Sequence, residues 1–241
     1  MTRIFLSPED VSSDIVTMTG DQARHLALVL RVKPSDMVSV LNGTGYEYEC
    51  RIVSVHKKEV RAEVLSKTPY SAESPVSITI VQGISKGERM EIAIQKSTEL
   101  GATRFIPVIT ERTQVKQTQK VERWRRIALS AAEQSGRDKM IEIDDPLQLE
   151  EFLGSIAPVS AGIIFFEEKR ERNLKEVLSG FTEIKEISVL IGPEGGFTRE
   201  EVAAAVEKGF VEASLGPRIL RTETAPITAL SIIQYELGDI G

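Results

Sequence analysis

Two short segments combine residue types that could do chemistry. They are Leu190-Ile-Gly-Pro-Glu-Gly-Gly-Phe197 and, a little further on, Leu215-Gly-Pro-Arg-Ile-Leu-Arg-Thr-Glu-Thr-Ala225. Three glycines and a proline in the first require a sharp turn or a close approach of the backbone to something else. The second repeats the apolar-Gly-Pro opening and ends in Arg221, Thr222, Glu223 and Thr224. Neither segment fits G-x-G-x-x-G or G-x-x-x-x-G-K-[ST], so neither a dinucleotide fingerprint nor a P-loop is supported. No lysine stands in either loop to hold phosphates. Backbone amides and apolar surface at Gly216, Ile219 and Leu220 suit an uncharged ring better than a triphosphate. Taken singly, the glycine loop could be a tight strand-to-helix turn, and the threonines with an Arg–Glu pair could be a helix cap. The two segments together read as a small-molecule pocket with a polar substrate beside it.

The elements around these segments indicate where they sit. Ile163–Phe166 and Ile187–Ile191 are continuous apolar runs, the pattern of strands covered on both faces. Thr198-Arg-Glu-Glu201 is a capping box that opens a helix running to Lys208, with Gly209 closing it. Val76–Val81 and Phe105–Ile109 read as further strands. Met90, Ala93, Ile94, Ser97 and Leu100 trace one face of a helix ended by Gly101, and Gln119–Gln134 and Ile227–Leu237 read as helices. The rhythm is strand-helix-strand, a parallel α/β domain over 73–241, whose ligands belong at the carboxyl ends of strands. Residues 1–72 differ. Val38–Leu41, the Asn42-Gly43 hairpin signal, Tyr46–Val55 and Arg61–Leu65 describe a compact β-rich module with one helix, Asp21–Arg31, whose buried face is expected to be Leu26, Val29 and Leu30. Residues 66–75, polar with two prolines, are the expected linker.

Composition narrows the class. The chain is 41% apolar and 27% charged over 241 residues, enough for a sizeable core. No apolar run reaches the length of a membrane span, and the N-terminus lacks the pattern of a signal peptide. Cys50 is the single cysteine, which excludes an internal disulfide and points to a reducing cytoplasm. Both histidines, His25 and His56, fall in the first module, so no histidine-based metal site or triad is expected in the α/β domain. Chemistry there has to run on carboxylates, arginine, hydroxyls and amides. The net charge is −6, yet residues 112–139 hold eight Lys/Arg against three Asp/Glu. A selective polyanion partner fits that local surface, as does a solvated helix face.

Six motifs together resemble the bacterial ribosomal RNA small-subunit methyltransferase E family. They are Arg24-His-Leu with Val-Leu-Arg31, Lys86-Gly-Glu-Arg-Met-Glu91, Gln95-Lys-Ser-Thr-Glu-Leu-Gly101, Ala131-Ala-Glu-Gln-Ser-Gly-Arg137, and the two segments above. The resemblance runs from the first strand to the last helix; Ser35 departs from it, standing where glycine is common. It implies a PUA-like RNA-binding β-barrel over 1–72, followed by a SPOUT α/β methyltransferase domain with a deep trefoil knot at roughly 160–230. It further implies a homodimer that uses S-adenosylmethionine to methylate N3 of one uridine in small-subunit (16S) ribosomal RNA, on naked RNA or the 30S subunit, with no metal. The cofactor walls carried over are Phe165, Ile191, Gly192, Pro193, Gly195, Gly196, Leu215, Gly216, Ile219, Leu220 and Arg221. Arg221 and Glu223 are the expected catalytic pair, and Arg24, Arg31, Arg89, Arg112 and Arg137 the expected RNA contacts. A related SPOUT enzyme acting on a ribose 2′-hydroxyl or on transfer RNA, or a non-catalytic ribosome assembly factor, stands as the alternative.

Overall fold

The computed structural model describes residues 2–11, 14–115, 118–159, 161–166, 172–181 and 183–241. The chain divides into two units, residues 1–73 with 132–140, and residues 74–131 with 141–241.

In the first unit, β1 (Thr2–Phe5), β2 (Ile15–Thr19), the short helix α1 (Gly20–Arg24), β3 (Met37–Leu41), β4 (Tyr46–Val55) and β5 (Glu59–Pro69) build one mixed sheet in the order β1-β3-β4-β5-β2. Strand β1 runs parallel to β3, and the other pairs are antiparallel. Val38, Val40, Cys50, Ile52, Val60 and Ala62 point inward, joined by Leu26. Register shifts at Glu49/Cys50 and Ile52/Ser54 mark irregularities in the long β4–β5 ladder, where a bulge adds twist and bend. Among the described residues β1 and β2 are edges of this sheet, so the β-barrel expected is an open half-barrel. The Asn42-Gly43 signal does make the β3–β4 connection, with the Asn42 side chain accepting from the Thr44 amide at 3.3 Å and hydroxyl at 2.6 Å. Burial pushes the Cys50 thiol up to about 12.

The helix expected over Asp21–Arg31 is α-helical only to Arg24. His25–Leu30 form a π-turn, and Arg31 ends it in the left-handed region at φ 53°. The wider turn changes the angular step between side chains. Leu26 therefore stays buried while Leu28, Val29 and Leu30 are exposed, the reverse of the face expected for Val29 and Leu30.

The expected linker is largely built into structure. Residues 66–69 continue β5, and the following residues are tied to 132–140. The Tyr70 hydroxyl donates to the Gly136 carbonyl at 2.7 Å, and the Ala72 amide to Asp138 Oδ1 at 2.9 Å. These ties, with the Phe5 amide donating to Glu133 Oε1 at 3.1 Å, explain why residues 132–140 belong to the first unit and not to the α/β domain.

The second unit contains β6 (Ser77–Gly83), α2 (Arg89–Glu99), β7 (Arg104–Ile109), most of α3 (Val121–Ser135), β8 (Glu142–Ile143), β9 (Leu147–Gln148), α4 (Leu149–Ser155), β10 (Gly162–Phe165), α5 (Leu174–Ser179), β11 (Glu186–Ile191), α6 (Arg199–Glu207), β12 (Phe210–Ala213) and α7 (Thr224–Leu237). Its sheet is parallel throughout, in the order β12-β10-β11-β6-β7-β8, with β9 also on β7. Both faces are covered. In β11, Ile187, Val189 and Ile191 pack into one cluster with Trp124 and with Ala229, Leu230 and Ile233 of α7. Leu190 packs into the other, with Phe152 of α4 and Val202 of α6. The Thr198 capping box is formed: its hydroxyl accepts from the Glu201 amide at 3.2 Å, and Glu201 Oε2 accepts from the Thr198 amide at 2.8 Å. No helix among the described residues is long and apolar enough to cross a membrane.

Candidate active site

Parallel strands place their carboxyl ends on one edge of a sheet, and there the end of β10 meets the loops that leave β11 and β12. They enclose a cavity of about 490 Å³. The β11 loop turns tightly, its Gly196 amide donating to the Pro193 carbonyl at 2.9 Å. It is pressed against the end of β6. A Cβ at Gly83 would lie 2.5 Å from Pro193 Cδ and 2.6 Å from Pro193 N. Only glycine permits that approach. Gly83→Ala is therefore expected to push Pro193 aside and destabilise the fold by about 1–3 kcal/mol, the usual range for overpacking, readable as a lowered midpoint in urea unfolding. Gly216, at φ 100°, turns the β12 loop through a backbone region that L side chains rarely adopt.

Thr222 joins the two loops to β6. Its hydroxyl donates to the Gly192 carbonyl at 2.9 Å and accepts from Gln82 Nε2 at 2.9 Å, while the same Gln82 nitrogen donates to the Thr222 carbonyl at 2.8 Å. Ser85 Oγ lies 3.0 Å from the Thr222 hydroxyl. This corrects the helix-cap reading of the threonines: Glu223 takes the N-cap position of α7 and makes no side-chain cap.

The charged groups form a chain along the lining. Glu194 Oε1 accepts from the Lys86 amide at 2.9 Å and from Arg89 Nη1. The Nε of Arg89 lies 3.7 Å from Glu223 Oε2, an ion pair without a hydrogen bond. Glu223 Oε2 is buried and has no hydrogen-bond partner among the described residues. Burial raises the Glu194 carboxyl, but hydrogen bonds from its own amide, the Lys86 amide and Arg89 outweigh this and hold it below the usual carboxylate range. Arg112 Nη1 donates to the Gly195 carbonyl at 3.0 Å, bracing the loop.

The chain matches the family model of the RNA methyltransferase domain over residues 72–234 and that of the RNA methyltransferase PUA domain over 18–65. It is 35% identical to the ribosomal RNA small subunit methyltransferase E of Bacillus subtilis, over 91% of this chain and 90% of the relative. The chain belongs to the ribosomal RNA small subunit methyltransferase E family. The family's protein from Synechocystis is 36% identical, over 96% of this chain and 76% of that one. Among solved structures, methyltransferase E from Neisseria gonorrhoeae bound to S-adenosyl methionine superposes with a TM-score of 0.88 at 36% identity, covering 99% of both chains. A Legionella pneumophila protein solved with the bound cofactor SAM gives 0.91 at 35% identity, again over 99% of both. In this chain the PUA-like domain thus falls within the first unit, over 18–65, and the methyltransferase domain spans 72–234.

For this methyltransferase E family member, the residues named as cofactor walls all line the cavity: Phe165, Ile191, Gly192, Pro193, Gly195, Gly196, Leu215, Gly216, Ile219, Leu220 and Arg221. Glu223, Arg89 and Arg112 line it too. Arg24 and Arg31 lie on the PUA-like unit and are exposed. Arg137 does not suit an RNA-facing role. Its side chain is 3% exposed and its guanidinium is committed to Glu73, with Nε donating to Oε1 at 3.2 Å and Nη2 to Oε2. Sequence reasoning gave no separate role to Glu194, Arg218 or Thr222, which also line the cavity. Glu194 stands inside the glycine loop, so its signal was a carboxylate in a segment otherwise chosen for its backbone.

Proposed function

We propose that this chain transfers a methyl group from S-adenosylmethionine to N3 of one uridine in small-subunit ribosomal RNA. The observation that carries the reading is the cavity itself, walled by two glycine loops and bordered by the Arg89–Glu223 pair. The lining fits the cofactor. Its size falls in the range of small-molecule sites, about 300–1,000 Å³. It offers backbone groups and the apolar side chains of Phe165, Ile191 and Leu220, and no lysine lines it among the described residues. When bound, S-adenosylmethionine supplies a sulfonium methyl that passes to the nucleophile as the carbon–sulfur bond breaks and its electron pair stays on sulfur.

The residues of this chain have then to deal with a proton. Uracil N3 carries one, and its lone pair is available for bonding only as that proton leaves. Glu223 Oε2, buried and uncommitted, is the acceptor. Arg221 lines the cavity, makes no ion pair among the described residues, and offsets the negative charge that develops on O2 and O4. In this reading Arg24 and Arg31 of the PUA-like unit, and Arg89 and Arg112 of the methyltransferase unit, neutralise phosphates. The same reading makes 160–230 a deep trefoil knot. It is supported by the way the chain leaves β12 at one edge of the sheet and returns to bond, through Thr222, to Gln82 of β6. A homodimer in the cytoplasm accompanies it, and light scattering on the purified protein tests the dimer.

Nucleoside mass spectrometry of small-subunit RNA from cells with and without the gene tests the reaction. Loss of N3-methyluridine on deletion, restored by the wild-type gene, is the expected result. Loss of a 2′-O-methylated nucleoside instead, or of a transfer RNA modification, would assign the chain to the related SPOUT chemistry. Absence of S-adenosylmethionine binding by calorimetry would leave a non-catalytic assembly role.

A further inference from the structure

Glu194 has a geometry that the reaction scheme has not used. One of its oxygens receives both the Lys86 amide and Arg89 Nη1, so it fixes the guanidinium from one side. From the other side Arg89 faces Glu223 at 3.7 Å, near enough to lend charge and too far to hydrogen-bond. We infer that Glu194 is a positioning residue that holds Arg89 off Glu223, so that Glu223 has a cation beside it while its Oε2 lone pair stays open for the substrate proton. This inference rests on the uridine-methylating reading above.

The physical reason is the preference of a guanidinium for a bidentate carboxylate partner. Arg89 is 42% exposed, Glu194 25% and Glu223 13%. An arginine with that freedom, released from Glu194, would close the gap to the more buried carboxylate and take both its oxygens. The base would then be charged but occupied. Among the described residues, the other charged side chains lining the cavity are Arg112, Arg218 and Arg221. All three are cations, so among the described lining residues none replaces the anionic partner that Arg89 loses.

The test is the pH dependence of single-turnover methyl transfer to small-subunit RNA, with S-adenosylmethionine affinity measured alongside. Glu194→Ala is expected to slow transfer about 10- to 100-fold, the scale of a misplaced catalytic group, with cofactor affinity retained. Its acid limb moves to lower pH, the direction set by a guanidinium drawn onto the base. Glu194→Gln keeps an acceptor for Lys86 and Arg89 without the charge, and is expected to fall between the two in rate and in limb position. In the double variant Glu194→Ala with Arg89→Ala, the rate should equal that of Arg89→Ala alone, because the first change acts only through the second. Wild-type rates in Glu194→Ala, additive losses in the double variant, or lost cofactor affinity with an unmoved pH profile would each overturn the role. Should Glu194→Ala not fold, Glu194→Gln decides by the same criterion of a moved or unmoved limb. Absence of transfer by the wild-type chain would instead defeat the functional reading itself.

Discussion

Glu223→Gln is expected to slow single-turnover methylation about 10²- to 10⁴-fold, the range contributed by a general base, while S-adenosylmethionine still binds. Glutamine keeps the volume and position of the carboxylate, so α7 and the loop before it have no reason to move. What it loses is the capacity to take a proton. Glu223 already sits at the N-cap of α7 without serving as a cap, so the substitution removes no helix-stabilising bond. A fall in rate without a change in affinity thus reports on chemistry. Arg89 would face a neutral amide in place of a carboxylate, and RNA affinity could shift slightly, which is why the rate must be read at saturating RNA. A variant that retained the wild-type single-turnover rate would show that the proton leaves by another route.

The largest stability effect is expected outside the site, at Arg137. Its guanidinium and the Glu73 carboxylate are 3% and 9% exposed and make a two-point pair, with the Lys139 amide donating to Glu73 Oε1 at 3.1 Å. Arg137→Ala leaves a buried carboxylate without its counter-ion, which typically costs about 3–5 kcal/mol. Urea unfolding should show a lower midpoint at unchanged slope, and the Ala72 and Lys139 amides should exchange faster with solvent. Replacing both partners together, Arg137→Met with Glu73→Leu, should be much milder, since apolar side chains of similar volume need no counter-charge. A double variant as unstable as Arg137→Ala would mean that the loss comes from packing around the arginine stem.

These two residues also mark where the sequence was legible. Strands β10 and β11 were visible because a sheet covered on both faces favours near-continuous apolar runs, and β6 and β7 from the strand-helix-strand rhythm they belong to. The Thr198 box and the Asn42-Gly43 hairpin were visible because their partners lie within three residues. Glu223 stood out for the company of Arg221 and two hydroxyls beside a glycine loop. Arg137 looked like a free cation because the carboxylate that buries it lies 64 residues earlier. Thr222 looked like a cap for the same reason, its amide partner being 140 residues away. Strands β8 and β9 have two residues each, and β12 has four with half-exposed neighbours, too few for periodicity to register. The π-turn after α1 was hidden too, since a wider turn leaves the same residues in the same order.

The junction at Thr222 has a consequence for the protein as it is being made. Gln82 and Ser85 emerge early from the ribosome, but the hydroxyl that joins them to the β11 loop arrives 140 and 137 residues later. At roughly 5–20 residues per second, about 7–30 s pass in which the nascent chain has the first strand of its methyltransferase sheet without the hydroxyl that ties it to the β11 loop. A growing chain therefore lacks the second of the two loops that wall the cavity until the residues around Thr222 have been made. Competence to modify ribosomal RNA comes only with the return of the chain to the strand where the domain began.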